Sequence, residues 1–462
     1  MRPEALVATT GTEIPTKEIE ELTSGLSGPA LGSEDAGYDE ARRLWNGMID
    51  RRPGLIVRCA GAEDVARCVE FARDHDVLLA VRSGGHSFPG FSMCDGGLVI
   101  DLSGLRAVQV DPTSRTARVE PGATWAEVDA ATSAHGLALC GGQISHTGVA
   151  GLTLGGGIGW LSRRFGLTSD SLLSVDLVTA DGQPRKASDS ENPDLFWGLR
   201  GGGGNFGVVT SFEFRLHPLS DPVLGGQLVY PTQRAGEVLR FIREFAAEAP
   251  DALTLTPAFV HTPEGQQAFA VALCYAGPLD EGEQVIKPLR QYGPPLVDMV
   301  GPMPYPAVQS MLDPAVPPGL RYYMRSYLLD ELSDGVVDTA VEAFSRVASP
   351  RSLIVMPQVG GAIGHLPDDV SAYRHRQASF SFTGFSIWND PAQDEPNVAW
   401  ARQLGDAVAP SSSGVYVNEL ADEGEDRVRS AYGAETYARL AALKRTYDPT
   451  NLFRLNQNIK PG

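Results

Sequence analysis

The run Ser83-Gly84-Gly85-His86-Ser87 sets an imidazole among small residues just after the apolar stretch 77–81. Consecutive small residues at a strand end turn several backbone N–H groups inward as an anion nest, a shape that suits a pyrophosphate. Two more glycine-dense stretches follow, 141–159 and 201–207. Glycine lets a backbone approach a phosphate or a flat ring closely. Tight turns in a β-rich domain are the plainer account of any one cluster, but three in one half of the chain favour a cofactor. Gly202-x-Gly204-x-x-Gly207 matches a dinucleotide fingerprint, which requires a helix directly after the glycines. The residues that follow, 208–214, alternate and are β-branched, so they read as a strand. A nicotinamide-type site is therefore rejected.

Alternating strand and helix patterns must position these loops. Residues 55–57 read as a strand, and a helix opens at Ala62 with Val65, Val69 and Ala72 on one face. Strands follow at 77–81, 98–100 and 117–119, then a helix over 125–135 stopped by Gly136, and a strand over 173–180. From 219 to 405 the texture changes to apolar strands (269–274, 353–356, 380–387) and amphipathic helices such as 235–247. The C-terminal part returns to motif-like sequence. The expected division is a cofactor domain from residues 1–218, a substrate domain over 219–405, and a segment 406–462 that completes the cofactor domain. Residues 1–35 read as a loosely ordered arm or short helix.

The chain has 462 residues, enough for two or three domains, with 42% hydrophobic and 21% charged residues. A net charge of −19 opposes binding to nucleic acid or to an anionic membrane. Met1-Arg2-Pro3-Glu4 leads into an apolar run too short for a secretory signal, and no run is long enough to span a bilayer. The five cysteines lack metal-ligand spacing, so no metal site and no disulfide framework is expected, and a cytoplasmic location is the default.

Four stretches together carry a resemblance. They are Val81-Arg82-Ser83-Gly84-Gly85-His86-Ser87, then Gly148-Val149-Ala150-Gly151 running on to Gly155-Gly156-Gly157-Ile158-Gly159-Trp160, then the run from Asp194 to Thr210, and finally Tyr447 to Ile459. In this order they resemble the berberine-bridge-enzyme-like oxidoreductases of the vanillyl-alcohol-oxidase (PCMH-type) FAD superfamily. The resemblance implies an α+β fold: an FAD-binding domain of two α/β subdomains, plus a substrate domain with a large antiparallel sheet flanked by helices. It implies that Ser83, Gly84, Gly85 and Ser87, with Arg82 before them, hold the pyrophosphate, and that His86 bonds covalently to the flavin 8α-methyl. Gly142, Ser145, His146, Thr147, Gly148, Gly151, Gly156 and Gly157 would line the flavin. Gly207 and Val209 would meet the nucleotide, and Asn456 and Asn458 would approach from the C-terminal segment. Bicovalent members carry a Cys where this chain has Ile144, and Cys140 is four residues too early. A single bond through His86 is expected, the alternative being a His86 that only packs near the ring.

By the same resemblance, Val415-Tyr416-Val417-Asn418-Glu419 matches a Tyr-x-Asn-Tyr stretch whose last position can act as base. Glu419 in an enclosed apolar pocket would have a raised pKa suited to proton abstraction. It reads equally as a solvated or salt-bridged strand-end residue, because Asp422, Glu423 and Glu425 follow closely in a plainly exposed run. Tyr416 would orient substrate or flavin, or be ordinary core. Gln358 would face the ring from the substrate sheet, or make a loop-exit hydrogen bond. His146 would touch the flavin, or bond its own loop backbone. Arg374, His375 and Arg376 read as structural, and Tyr322, Tyr323 and Trp388 hint at an aromatic-lined pocket. Thr147 occupies a position that gates oxygen in the resembling family, and its size leaves the approach open. The expected function is an FAD-dependent oxidase of a small alcohol, phenol, amine or natural-product intermediate, with molecular oxygen as acceptor. The alternatives are a dehydrogenase with another acceptor, an oxygenase or cyclase on a natural product, and a non-catalytic binder.

Overall fold

A computed structural model describes residues 5–462, so the segment Met1-Arg2-Pro3-Glu4 lies outside the described residues. Three sheets organise the chain. In the first, Leu55–Arg58 and Leu79–Arg82 pair in parallel with the central strand Leu98–Asp101. The helix Ala62–Asp74 makes the crossover and buries Val65, Cys68, Val69 and Ala72. Those positions recur every three to four residues, which puts them on one helical face. The second sheet has five antiparallel strands in the order Val108–Asp111, Thr116–Val119, Val208–Arg215, Leu172–Val178, Pro184–Ser188. The strand Val208–Arg215 directly after the third glycine cluster agrees with the rejection of a nicotinamide-type site.

The third sheet has eight strands. Its main path runs from Val223–Pro231 through Gln267–Tyr275, Leu253–His261, Leu353–Val355 and Phe380–Trp388 to Arg321–Leu329, all antiparallel. Helices Ala235–Glu248, Asp334–Ser345 and Asp394–Val408 pack side by side over one face. Leu255 and Phe259 point toward that helical layer and are buried, whereas Thr256, Ala258 and Val260 point to the other face. This is the period-two alternation of a strand.

Of the two readings of the N-terminal arm, residues 5–35 show the short helix. Its helix Thr16–Ser24 and strand Ala30–Leu31 close the edge of the first sheet, and Leu6 and Leu22 are buried in that sheet's core. Further on, Asn46 ties distant parts together: Nδ2 donates to Phe88 O and Tyr322 O (both 3.0 Å), and Oδ1 accepts from Tyr322 N (3.1 Å). At the other end, Glu425–Tyr447 is helical with a break at Gly433, where φ is 69°. Leu452 and Phe453 then pack into the core of the first sheet. Among the described residues no helix is long and apolar enough to cross a membrane.

Candidate active site

The strand Leu79–Arg82 delivers the His86 loop, and Gly85 turns it with a φ of 70°. Gly84 lies against the second glycine stretch so closely that a Cβ there would stand 2.5 Å from Gly148 N. A Cβ on Gly148 would stand 2.5 Å from Gly84 N. Two backbones meeting at this distance exclude any side chain, which is the cradle that a phosphate or ring needs. Ser83 Oγ donates to Pro121 O (2.6 Å) and anchors the loop from behind.

His86 is half-buried. The Trp45 indole stacks on its ring at 5.0 Å between centroids, and its Nε2 lies 2.7 Å from His146 Nδ1. Burial first, then the neighbouring His146, lowers its pKa to about 3, so the imidazole is neutral and keeps a free lone pair. His146 is therefore not bonded to its loop backbone; it engages His86, while its own Nε2 is buried without a partner. Ser145 donates through N (2.9 Å) and Oγ (2.5 Å) to the Asp313 carboxylate, which pulls against the burial that lowers the His146 pKa.

These loops wall a cavity of about 480 Å³ that opens onto the free face of the eight-stranded sheet. Of the residues expected to hold the cofactor, Ser83, Gly84, Gly85, His86 and Ser87 lie on its wall. So do Gly142, Thr147, Gly148 and Gly151, with Gly207, Val209 and Asn456 at another side. Arg82, Ser145 and His146 stand one layer behind. Arg82 is committed to Ala41 O (2.6 Å) and to buried Asp101 (3.4 Å). Gly156 and Gly157 are also off the wall: Gly156 makes room for Tyr373, and Gly157 N donates to Tyr416 Oη at 2.8 Å. Asn458 is off it too. Among the described residues the buried Oδ1 atoms of Asn456 and Asn458 find no partner. A nucleotide-type cofactor, rich in N–H and O–H donors, fits such orphaned acceptors.

On the wall of the same cavity, Glu419 sits in a short 3₁₀ turn, Val417–Glu419, and not at a strand end. Its Oε2 accepts from Ser326, and from Ser381 and Thr383 at 3.2 Å each. Burial raises the carboxyl above its ordinary pKa, and the three hydroxyls only partly offset this. The following acidic run is not plainly exposed either: the Glu423 side chain is 4% exposed and pairs with Arg325 and with Arg427 (3.0 Å). Tyr416 lines the cavity, and its Oη accepts from Gly157 N and from Asn418 Nδ2 (2.7 Å). The phenol thus pins the Val417–Glu419 turn to the second glycine stretch.

Gln358 does not face the cavity. Its Nε2 donates to Ala246 O (3.0 Å) in the helical layer, and its neighbours Val355 and Pro357 occupy the cavity face. Tyr322, Tyr323 and Trp388 do not line it; the aromatic walls are Trp45, Phe88, Phe91, Phe385, Tyr416 and Phe453. Arg376 makes a buried two-pronged bond to Asp170 (2.9 and 2.8 Å), a structural tie as expected. Among the described residues no group of three or more His, Cys, Asp or Glu is placed to hold a metal ion. Sequence reasoning missed Trp45, Gln143 and the hydroxyl clamp. The spacing Ser381-x-Thr383 within an apolar strand, two hydroxyls on one face, was the available signal.

Comparison with known proteins agrees with this geometry. Residues 53–188 match a family described as an FAD binding domain, and residues 415–460 match one described as berberine and berberine like. An FAD-linked oxidoreductase of Dictyostelium discoideum is 35% identical over 451 residues, covering 96% of this chain and 97% of that protein. The chain belongs to the berberine-bridge-enzyme-like FAD-linked oxidoreductases. Another relative in this group is (R)-6-hydroxynicotine oxidase of Paenarthrobacter nicotinovorans, 32% identical with 94% of this chain and 97% of that protein covered. The crystal structure of 6-hydroxy-D-nicotine oxidase from Arthrobacter nicotinovorans superposes with a TM-score of 0.87 at 29% identity, covering 95% and 99% of the two chains. The berberine-bridge-enzyme-like chain is accordingly an FAD-binding oxidoreductase with the expected α+β architecture.

Proposed function

We propose that the protein is an FAD-dependent oxidase of a small organic substrate, with FAD bonded to His86 and Glu419 as the catalytic base. The observation that carries this reading is the half-buried Glu419 carboxyl, held through Oε2 by three hydroxyls, on the wall of the same cavity that the His86 loop lines. Among the described residues none donates a hydrogen bond to its Oε1, which is free to take an O–H or N–H proton. When bound, the flavin supplies the hydride acceptor and passes the electrons on to dioxygen. His86 Nε2 is engaged by His146, which leaves Nδ1 as the nitrogen for the 8α bond. Asn456 offers an acceptor to the cofactor from the cavity wall, and the Gly84–Gly148 contact leaves room for it. Residues 1–218 and 406–462 would hold the cofactor and 219–405 the substrate. All five cysteines are free and buried, which suits a reducing cytoplasm.

The reading is tested by anaerobic flavin reduction across a panel of phenols, benzylic alcohols, amines and sugars; no reduction by any class would count against it. Oxygen reactivity is tested separately at Thr147, which lies on the cavity wall while its backbone O accepts from Trp125 N (3.1 Å). Ile is bulkier at that point. Thr147→Ile should slow stopped-flow reoxidation by about tenfold or more, ~1.4 kcal/mol on the barrier, and change substrate reduction far less. Slow reoxidation of the wild type would favour a dehydrogenase. Equal, fast reoxidation in both would remove Thr147 as the gate.

A further inference from the structure

From Glu419 the cavity continues across the free face of the eight-stranded sheet, and strand register decides what paves it. Thr383 stands opposite Val355, Val355 opposite Ala258, and Ala258 opposite Ala270. One pleat along, Thr256 stands opposite Ala272, and Ala272 opposite Gln227. All seven line the cavity. Three alanines in adjoining positions hollow a trough where larger side chains would fill the sheet face.

Adjacent strands lie about 4.8 Å apart and two residues advance about 6.8 Å, so Thr256, two strands across and one pleat along, stands roughly 12 Å from the Thr383 position that holds Glu419. Gln143 reaches Thr256 from the glycine-rich wall: its Nε2 donates to Thr256 Oγ1 at 2.7 Å. This leaves the Thr256 hydroxyl hydrogen and Gln143 Oε1 without a protein partner, one donor and one acceptor at the same spot. Between this pair and Glu419, the Val355, Pro357 and Ala258 side chains offer no polar atom, and Phe88 and Phe385 meet edge to face nearby at 5.8 Å.

We infer that the substrate is an elongated, flat, largely apolar molecule that carries the group to be oxidised at one end and a second hydrogen-bonding group roughly 12 Å away, read by Gln143 and Thr256. The inference rests on the reading that oxidation takes place at Glu419. A sugar would bury several hydroxyls against the apolar middle, each losing its bond to water with no replacement. A two-ring aromatic body with one polar group at each end leaves none unpaired.

The test uses Glu419→Gln holoenzyme, in which turnover is slow, and follows ligand-induced change in flavin absorbance. The probes are benzyl alcohol, biphenyl-4-ylmethanol and its 4′-hydroxy derivative. The 4′-hydroxy compound should bind about tenfold tighter than biphenyl-4-ylmethanol, the scale of one well-placed hydrogen bond. Adding Thr256→Val, or Gln143→Leu if that protein fails to fold, should bring the two biphenyls within about twofold. Ala258→Phe should weaken both biphenyls by about tenfold or more and leave benzyl alcohol nearly unchanged. Benzyl alcohol binding as tightly as the hydroxybiphenyl, no response to either biphenyl, or a distal-hydroxyl advantage that survives both polar substitutions would overturn the inference. Purified protein without a flavin spectrum would instead overturn the cofactor reading beneath it.

Discussion

Glu419→Gln should slow anaerobic flavin reduction by ~10²- to 10⁴-fold, the range for loss of a positioned acid–base group. The amide preserves size and can still accept from Ser326, Ser381 and Thr383, so substrate binding should change much less. The pH dependence follows from the raised pKa. Glu419 must be ionised to act, so wild-type reduction falls as pH drops through a value above the ordinary carboxyl range. The variant should lose that acid limb. Stability moves the other way. A carboxyl with a raised folded pKa holds its proton more tightly in the native state, so ionising it at neutral pH costs stability. Glu419→Gln should therefore melt at a higher temperature than wild type while being nearly inactive. An unchanged reduction rate would transfer the role, with Tyr416 the next residue to examine.

Asp448→Ala should cost about 3–5 kcal/mol of folding stability and most of the flavin, the scale for breaking a buried ion pair from one side. Asp448 and Lys444 are both 0% exposed and stand 2.7 Å apart. The carboxylate also accepts from Leu452 N (2.7 Å) and Phe453 N (2.8 Å). Lys444 Nζ donates in addition to Asn205 O and Phe453 O, both 2.8 Å. The alanine variant strands an ammonium and two N–H groups in the interior. It also loosens the turn that carries Asn456 to the cavity and the glycine loop around Asn205. Urea unfolding monitored by intrinsic fluorescence, with flavin content measured beside it, checks both effects. A loss under about 1 kcal/mol would mean the pair is dispensable.

The glycine loops were legible in sequence because their demand is on the backbone itself: Gly84 and Gly148 meet where no Cβ fits. Glu419 was legible as a position but not in its setting. The hydroxyls that hold it come from strands 36 to 93 residues away in sequence, a distance no local pattern spans. Gln358 was misplaced because the apolar run before it is buried on both faces of the sheet, which hides the alternation that would show which side it takes. Glu423 was read as exposed because a cluster of acidic residues is usually solvated; Arg325 and Arg427 cancel its charge inside the fold. The arm at residues 5–35 has few apolar residues, yet Leu6 and Leu22 are both spent on the core. His146 could be seen in the second glycine stretch, but its partner His86 lies 60 residues earlier and only the folded chain brings the two rings together.

Mass spectrometry of the wild-type protein after acid denaturation, followed by peptide mapping, reads the state of the cofactor directly. The denatured chain should carry the mass of one FAD less two hydrogens, found on the peptide that contains His86 and absent from the peptide that contains the fully buried Cys140. Release of all flavin on denaturation, or its recovery on any other residue, would contradict the assignment of His86.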